Sequence, residues 1–183
     1  MLSYLTEVFH LLIRKKKQRY IEELKRRGLQ IGEHVNFAGD IFLDPSHCYL
    51  IDIGDNCTFA PGARLIAHDA STKQFLGFTK FAKIKIKENC FIGDSVIVLP
   101  GVTIGPNSIV GAGSVVTKDV PPNSVSAGNP AHVIGELDSY LEHVTKQSGD
   151  KKLFDASYHV NLLTETKRKE LLEAAEIGWG RII

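Results

Sequence analysis

A six-residue repeat in the middle of the chain constrains the fold more than any other feature of the sequence. From Ile86 to Val116 every sixth residue is Ile or Val, and the fifth residue of each hexapeptide is small or β-branched. The hexapeptides read IKENCF, IGDSVI, VLPGVT, IGPNSI, VGAGSV and VTKDVP. This period fits neither an amphipathic helix, at 3.6 residues, nor an alternating strand, at 2.0 residues.

A repeat of this length predicts a solenoid whose coil has three flat faces, with one hexapeptide on each face. The first residue of each hexapeptide points inward and stacks on its equivalents, and the fifth lies near a tight corner. Gly, Asn and Asp suit such corners because they tolerate a positive φ. An ordinary β-sandwich with regular turns is the alternative, and hexapeptides that hold one phase so consistently argue against it.

The hexapeptide phase extends upstream and breaks once. IGDNCT from Ile53 and FAPGAR from Phe59 keep the rule, and a weaker block starts at Ile31. Leu65 and Ile86 are 21 residues apart, which is not a multiple of six. We therefore expect a loop to protrude over residues 66–85, and an excursion from a rigid scaffold is a natural place for function.

The solenoid, residues 31–136, is expected to carry an N-terminal helical segment over residues 1–30. Its apolar stripes predict an amphipathic helix that ends near Gly28, and eight of the 22 Lys and Arg residues lie between Arg14 and Arg27. A basic amphipathic helix can lie on an anionic membrane surface. Covering the open first coil is the favoured interpretation, because solenoid ends need caps.

The C-terminal end of the solenoid is marked by prolines. Pro121-Pro122 and Asn129-Pro130 predict the end of the coil. Residues 137–183 predict a helical tail, with one short helix capped by the Ser139–Glu142 pattern and a second over 166–176. No chemistry is evident in this tail.

Composition restricts the class of protein. The chain has 183 residues, of which 43% are hydrophobic and 23% charged, and its net charge of +1 gives no indication of nucleic-acid binding. Three cysteines without a Cys-x-x-Cys pair favour reduced thiols over a disulfide framework or a cysteine zinc site. No signal-peptide pattern or membrane-spanning segment is evident, so a cytoplasmic protein is expected.

Three segments together resemble the hexapeptide-repeat acetyltransferases. They are the hexapeptides, the loop with its His-Asp pair, and VGAGSVVTKDVPPNSVSAGNPAHVIGEL. The resemblance covers about residues 31–136 and is strongest to galactoside, maltose and xenobiotic O-acetyltransferases and to sugar acetyltransferases of polysaccharide biosynthesis. It implies a left-handed parallel β-helix, a homotrimer with active sites between subunits, and acetyl-CoA as co-substrate. It also implies a loop histidine as base, no acyl-enzyme and no metal.

The same resemblance assigns roles to individual residues. His68 matches the family's catalytic histidine, and Ala112 lies where the backbone contacts the pantetheine arm. Thr117 and Lys118 lie where the family meets the nucleotide end of coenzyme A. Two positions depart from the family pattern, namely Asp94, where Ser is frequent near the thioester, and His132, where many relatives carry Arg.

His68 also satisfies the chemical requirements of a general base on its own. An imidazole is the side chain suited to proton transfer near neutral pH, and of the seven histidines His68 alone directly follows a coil at the phase break. The adjacent Asp69 is a candidate to orient the ring or bind an acceptor hydroxyl. Three phenylalanines in the loop either wall the acceptor groove or pack on a neighbouring subunit: Phe75, Phe78 and Phe81.

Several alternatives remain open at this point. A sugar hydroxyl is the first expectation for the acceptor, followed by the amino group of a nucleotide-linked sugar and by a chloramphenicol-type xenobiotic. A metalloenzyme like the γ-class carbonic anhydrases would need three converging histidines. His34, His47 and His132 show no paired spacing with the loop. A non-catalytic scaffold would need neither the His-Asp loop nor Lys118.

Overall fold

The computed structural model describes residues 15–149, 151–178 and 180–182. The described residues up to Leu137 form one compact unit, and those from Asp138 onward form another. Among them, no helix combines the length and apolar character needed to cross a bilayer.

The first unit consists of short parallel strands stacked in register on three faces, so the predicted left-handed parallel β-helix is confirmed. Face A contains β1 (Gln30–Ile31), β4 (Ile51–Ile53), β9 (Ile84–Ile86) and β12 (Thr103–Ile104). Face B contains β2 (Asn36–Phe37), β5 (Thr58–Phe59), β10 (Phe91–Ile92), β13 (Ile109–Val110), β15 (Ser124–Gly128) and β16 (Ala131–Glu136). Face C contains β3 (Phe42–Leu43), β6 (Arg64–Leu65), β11 (Ile97–Val98) and β14 (Val115–Val116).

The core of the β-helix is made by the inward rows that the repeat predicts. On face A, Ile53 pairs in register with Ile31 and Ile86, and Ile86 pairs with Ile104. Burying one such side chain contributes roughly 1.5–3 kcal/mol. The first and fifth residues of the hexapeptides are buried throughout: Ile86, Cys90, Ile92, Val96, Val98, Val102, Ile104, Ser108, Val110, Ser114, Val116 and Val120.

One corner of the β-helix carries a ladder of asparagines. Asn56, Asn89, Asn107 and Asn123 all adopt a left-handed backbone, with φ between 53° and 57°. The side-chain amide of Asn107 donates to Asn123 at 2.9 Å and accepts from Asn89 at 2.9 Å. Asparagine suits this corner because it tolerates positive φ and can bond to the coils above and below.

Two predicted boundaries of the β-helix need correction. Pro121-Pro122 does not end the coil, because β15 still pairs in parallel with β13 before β16 turns back antiparallel. The protruding loop is shorter than residues 66–85, because Ile66 donates its N–H to Val98 and Ile84 already starts β9. The loop itself contains β7 (His68–Asp69), α2 (Lys73–Leu76) and β8 (Lys80–Phe81), with β7 and β8 pairing antiparallel.

Helix α1 runs through residues 15–26 and packs on the first coil. Leu24 is buried, and the Tyr20 hydroxyl donates to the carbonyl of Leu43 at 3.4 Å. Gly28 ends the helix as predicted, since its φ of 103° is left-handed and a Cβ there would lie 2.9 Å from Tyr49. The predicted helix over residues 1–14 lies outside the described residues, and membrane contact stays a prediction.

The second unit contains α3 (Leu137–Ser148), β17 (Leu153–Phe154), α4 (Glu165–Glu176) and β18 (Arg181–Ile182). The predicted cap at Ser139 is wrong. The helix already includes Leu137, whose N–H donates to the carbonyl of Asn123 at 2.9 Å, so Ser139 lies inside the helix and does not cap it. The second predicted helix is confirmed, with the hydroxyl of Thr164 accepting from the N–H of Lys167.

We expect Asn107→Ala to destabilise the protein more than Asn107→Gly. Both variants lose the ladder contacts, each worth about 0.5–1.5 kcal/mol. Only alanine adds the cost of a side chain in the left-handed region, about 1–2 kcal/mol. Urea denaturation of both variants measures the difference, and equal stability would show that the corner backbone carries no such cost.

Candidate functional site

The candidate site lies where the strands of face C end. Asp44 directly follows β3, Ile66 follows β6, and Thr117 follows β14. Because Leu43, Leu65, Val98 and Val116 are in register, these following residues occupy equivalent places in successive coils. The chain leaves the coil after Ala67, so His68 stands beside the same edge.

Asp44 is the anchor of the site. Its carboxylate is fully buried and accepts from four donors, which are the N–H groups of Ser46 at 3.1 Å, His47 at 3.3 Å and Ala67 at 3.0 Å, and Nδ1 of His68 at 2.5 Å. The three backbone N–H donors hold the carboxylate in place independently of its contact with the His68 ring. Asp44 therefore holds the imidazole of His68 in one orientation.

The charge of Asp44 determines which nitrogen of His68 is free. Burial raises the pKa of the Asp44 carboxyl. The hydrogen bond and the charge of His68, together with the backbone N–H donors, lower it by more than burial raises it. The pKa of Asp44 therefore lies below its ordinary value. An ionised carboxylate only accepts hydrogen bonds, so Nδ1 of His68 must be the donor. The neutral ring then carries its lone pair on Nε2, and 31% of this side chain is exposed. The arrangement can take a proton from a bound molecule.

Asp69 does not orient His68. Its carboxylate pairs with Nζ of Lys80 at 2.7 Å and accepts from the N–H of Ser71 at 2.8 Å. The hydrogen bonds from Lys80 and Ser71 lower the pKa of Asp69. Asp69 thus stabilises the β7–β8 hairpin, and it is Asp44, which sequence reasoning missed, that contacts the ring.

The ring of His47 lies against the ring of His68. The two rings stack with centroids 4.6 Å apart and an interplanar angle of 30°. Phe81 stacks in turn on His47, at 6.1 Å and 20°. Sequence spacing gave no reason to pair His47 with His68, because the contact depends on the 3-10 turn Cys48–Leu50 inserted after face C.

The residues assigned to coenzyme A fall into two groups, all exposed. Asp94 and Ala112 occupy equivalent places in neighbouring coils, after β10 and β13, and His132 lies on β16 beyond them. Thr117 and Lys118 directly follow β14, on the same edge as His68. They are two coils from the coil of His68, or about 10 Å at about 4.8 Å per coil.

A register argument could have found Asp44 from the sequence. Leu43 and Leu65 are both inward first residues, so the residue after Leu43 lies one coil below the residue after Leu65. The signal is weak because the first coil contains an insertion, which puts Ile31 and Ile53 out of the six-residue phase although they pair. A polar residue directly after an inward aliphatic position, beside the loop, is the feature to look for.

We expect the neutral ring of His68 to carry its proton on Nδ1. Nuclear magnetic resonance correlations between ring nitrogens and carbon-bound protons distinguish the two tautomers. Asp69→Asn should leave the Nδ1–H form in place, whereas Asp44→Asn should reduce it. A wild-type ring protonated on Nε2 would contradict the arrangement described.

Comparison with known proteins identifies relatives of the β-helix. Residues 83–118 match the family described as bacterial transferase hexapeptide (six repeats). Galactoside O-acetyltransferase of Escherichia coli (strain K12) is 41% identical over 111 residues, which cover 59% of this chain and 55% of that protein. The chain thus spans about half the length of that relative.

A solved structure extends the likeness to three dimensions. The maltose O-acetyltransferase from Clostridium difficile 630 is 31% identical, with a TM-score of 0.53. The alignment covers 66% of this chain and 75% of that one. With the three-faced β-helix and the matched repeats, this similarity shows that the chain belongs to the hexapeptide-repeat acetyltransferase family.

Proposed function

We propose that this protein transfers an acetyl group from acetyl-CoA to a hydroxyl group of a sugar or saccharide, with His68 as general base. The observation that carries the proposal is the Asp44–His68 hydrogen bond, which leaves Nε2 of a partly exposed imidazole free to accept a proton. Family membership and the names of the two relatives support the reaction type and the sugar acceptor.

The proposed reaction is a direct transfer within a ternary complex. The acceptor oxygen attacks the thioester carbonyl while Nε2 of His68 takes the hydroxyl proton. A C–O bond forms, and the tetrahedral intermediate then collapses with cleavage of the C–S bond. His68 returns its proton to the departing sulfur, so the base is regenerated and coenzyme A leaves as the thiol.

Asp44 acts on this reaction through His68. A buried carboxylate at Nδ1 holds the reactive tautomer and stabilises the imidazolium that forms when the acceptor proton is taken. The three backbone N–H donors keep the carboxylate in place throughout. We therefore assign Asp44 as a positioning residue and His68 as the catalytic one.

Acetyl-CoA is proposed to lie along the edge that carries Thr117 and Lys118. Lys118 forms no ion pair with a carboxylate of the described residues, because the neighbouring Asp119 accepts from the N–H of Thr103 instead. Its ammonium group is thus available for a charge-assisted hydrogen bond to phosphate. Ala112 is proposed to contact the pantetheine arm and Asp94 to lie near the thioester. His132 is proposed to take the place of the Arg with which many relatives contact the phosphates of coenzyme A.

The acceptor is proposed to bind beside the protruding loop, with a second copy of the chain completing the groove in a homotrimer. Phe75, Phe78 and Phe81 are exposed in this unit, with 79%, 53% and 63% of their surface accessible. Aromatic side chains left uncovered on a small loop are suited to stacking on a sugar ring or to contact with another subunit.

Thiol release from acetyl-CoA tests the proposal, with wild type and His68→Ala run beside each other. The acceptor panel contains sugars, nucleotide-linked amino sugars and chloramphenicol. We expect release with a sugar hydroxyl acceptor and a loss of about 10²–10⁴ in turnover in the variant, because the base is removed.

One further measurement, the affinity for coenzyme A, makes the result decisive. Affinity for coenzyme A should be nearly unchanged in His68→Ala, since the ring acts on the acceptor proton. Release only with an amino sugar or with chloramphenicol would reassign the acceptor. No release with any acceptor and no binding of coenzyme A would favour a non-catalytic scaffold, and near-normal activity in the variant would exclude His68 as the base.

A further inference from the structure

His47 has an unused ring nitrogen inside the candidate site. Nδ1 of His47 is buried and makes no hydrogen bond with any described residue. It lies 3.9 Å from Oδ1 of Asp44, too far for a hydrogen bond. Oδ1 of Asp44 already accepts from the N–H groups of Ser46 and His47, so it offers no position to this nitrogen. Oδ2 gains a free position only when Nδ1 of His68 gives up its proton. A buried nitrogen beside a carboxylate, without a partner, is costly unless something binds there.

We propose that Asp44, His47 and His68 form a binding site for a divalent transition-metal ion, with Zn²⁺ as the first candidate. One ligand atom from each residue can be chosen so that all three lie within 4.8 Å of one another. Two imidazoles and a carboxylate are a ligand set typical of Zn²⁺ sites, whereas Mg²⁺ prefers oxygen ligands alone. Asp44 is fully buried, so its charge is not dispersed in solvent.

The observed spacing is close to what such an ion needs. Zn²⁺ binds nitrogen and oxygen at about 2.0–2.2 Å in a tetrahedron, which places neighbouring ligand atoms about 3.3 Å apart. His68 Nδ1 lies 2.5 Å from Oδ2 of Asp44, and His47 Nδ1 lies 3.9 Å from Oδ1, so the first separation must widen and the second must narrow around an ion. Because the chosen ligand atoms of all three residues already lie within 4.8 Å of one another, an ion needs only a local rearrangement of these side chains.

An ion at this site would switch the tautomer of His68. When Nδ1 binds the metal, the proton of the neutral ring lies on Nε2. Nε2 is then a hydrogen-bond donor and cannot take a proton from the acceptor. This inference rests on the proposed function, under which metal binding and acetyl transfer exclude each other. The ion then acts as a reversible inhibitor that does not need to enter the acceptor groove.

The test measures metal binding directly and activity separately. Chelator-treated protein is titrated with Co²⁺, whose visible spectrum reports tetrahedral nitrogen and oxygen ligands, and with Zn²⁺ by equilibrium dialysis with metal analysis. The variants are His47→Gln, His47→Phe, which keeps a ring stacked on His68, and the control His143→Gln, exposed on α3. We expect one ion per chain in wild type and control, and at least about ten-fold weaker binding in both His47 variants.

Acetyl transfer is followed with and without Zn²⁺ in each protein, and Mg²⁺ serves as the control ion. We expect Zn²⁺ to suppress transfer in wild type over the concentration range in which it binds, and to do so at least about ten-fold less potently in the His47 variants. Mg²⁺ should leave transfer unchanged.

The metal-binding measurements test the proposed metal site independently of the proposed reaction. Wild-type protein that binds no Co²⁺ or Zn²⁺, or His47 variants that bind as tightly as wild type, would overturn the site. Inhibition of equal potency in all four proteins would overturn the link to His68. Metal binding without any acetyl transfer by metal-free protein would instead contradict the proposed function and leave the site standing.

Discussion

The in-register stacking of aliphatic side chains between coils is the constraint on which every other feature depends. Ile53, Ile86 and Ile104 lie above one another because their strands pair residue for residue, and a shift of one residue would turn each side chain to the other face. The same register aligns the ends of the face C strands. Residues that are far apart in sequence are thereby placed along a single edge at a fixed spacing of about 4.8 Å.

The candidate site combines one residue of the rigid coil with one residue of the protruding loop. The coil supplies Asp44, whose carboxylate is fixed by backbone N–H groups, and the loop supplies His68, which leaves the coil after Ala67. The His68 ring lies on a short protrusion, where it is partly exposed, so its orientation depends on a contact with the rigid coil. The buried carboxylate provides that anchor, and the Asp69–Lys80 pair holds the protrusion itself.

Sequence reasoning recovered the features that arise from the repeat and missed most of those that arise from its interruptions. The hexapeptides predicted the inward rows and the coil extending from Ile31. They did not predict that β15 continues the solenoid beyond Pro121-Pro122, because prolines at a coil corner sacrifice no ladder hydrogen bond there. His68 was singled out because it directly follows the break in phase, and its role as base stays a prediction.

Asp44 and His47 could not be found in the same way, because an insertion in the first coil obscures their register with the second. Their roles depend on contacts between coils, which a reading along the chain does not reveal. A polar residue directly after an inward aliphatic position would be the most useful signal in other solenoids of this kind, since it marks a side chain at the end of a strand.

A double-mutant cycle on Asp44 and His68 tests the central claim most directly, namely that the two residues act as one unit. The ratio kcat/KM for acetyl transfer is measured for wild type, Asp44→Asn, His68→Ala and the double variant, with unfolding midpoints recorded for each. We expect the double variant to be no slower than His68→Ala, because Asp44 acts only through the ring. Losses that multiply in the double variant would show that Asp44 acts independently of His68 and would contradict the account.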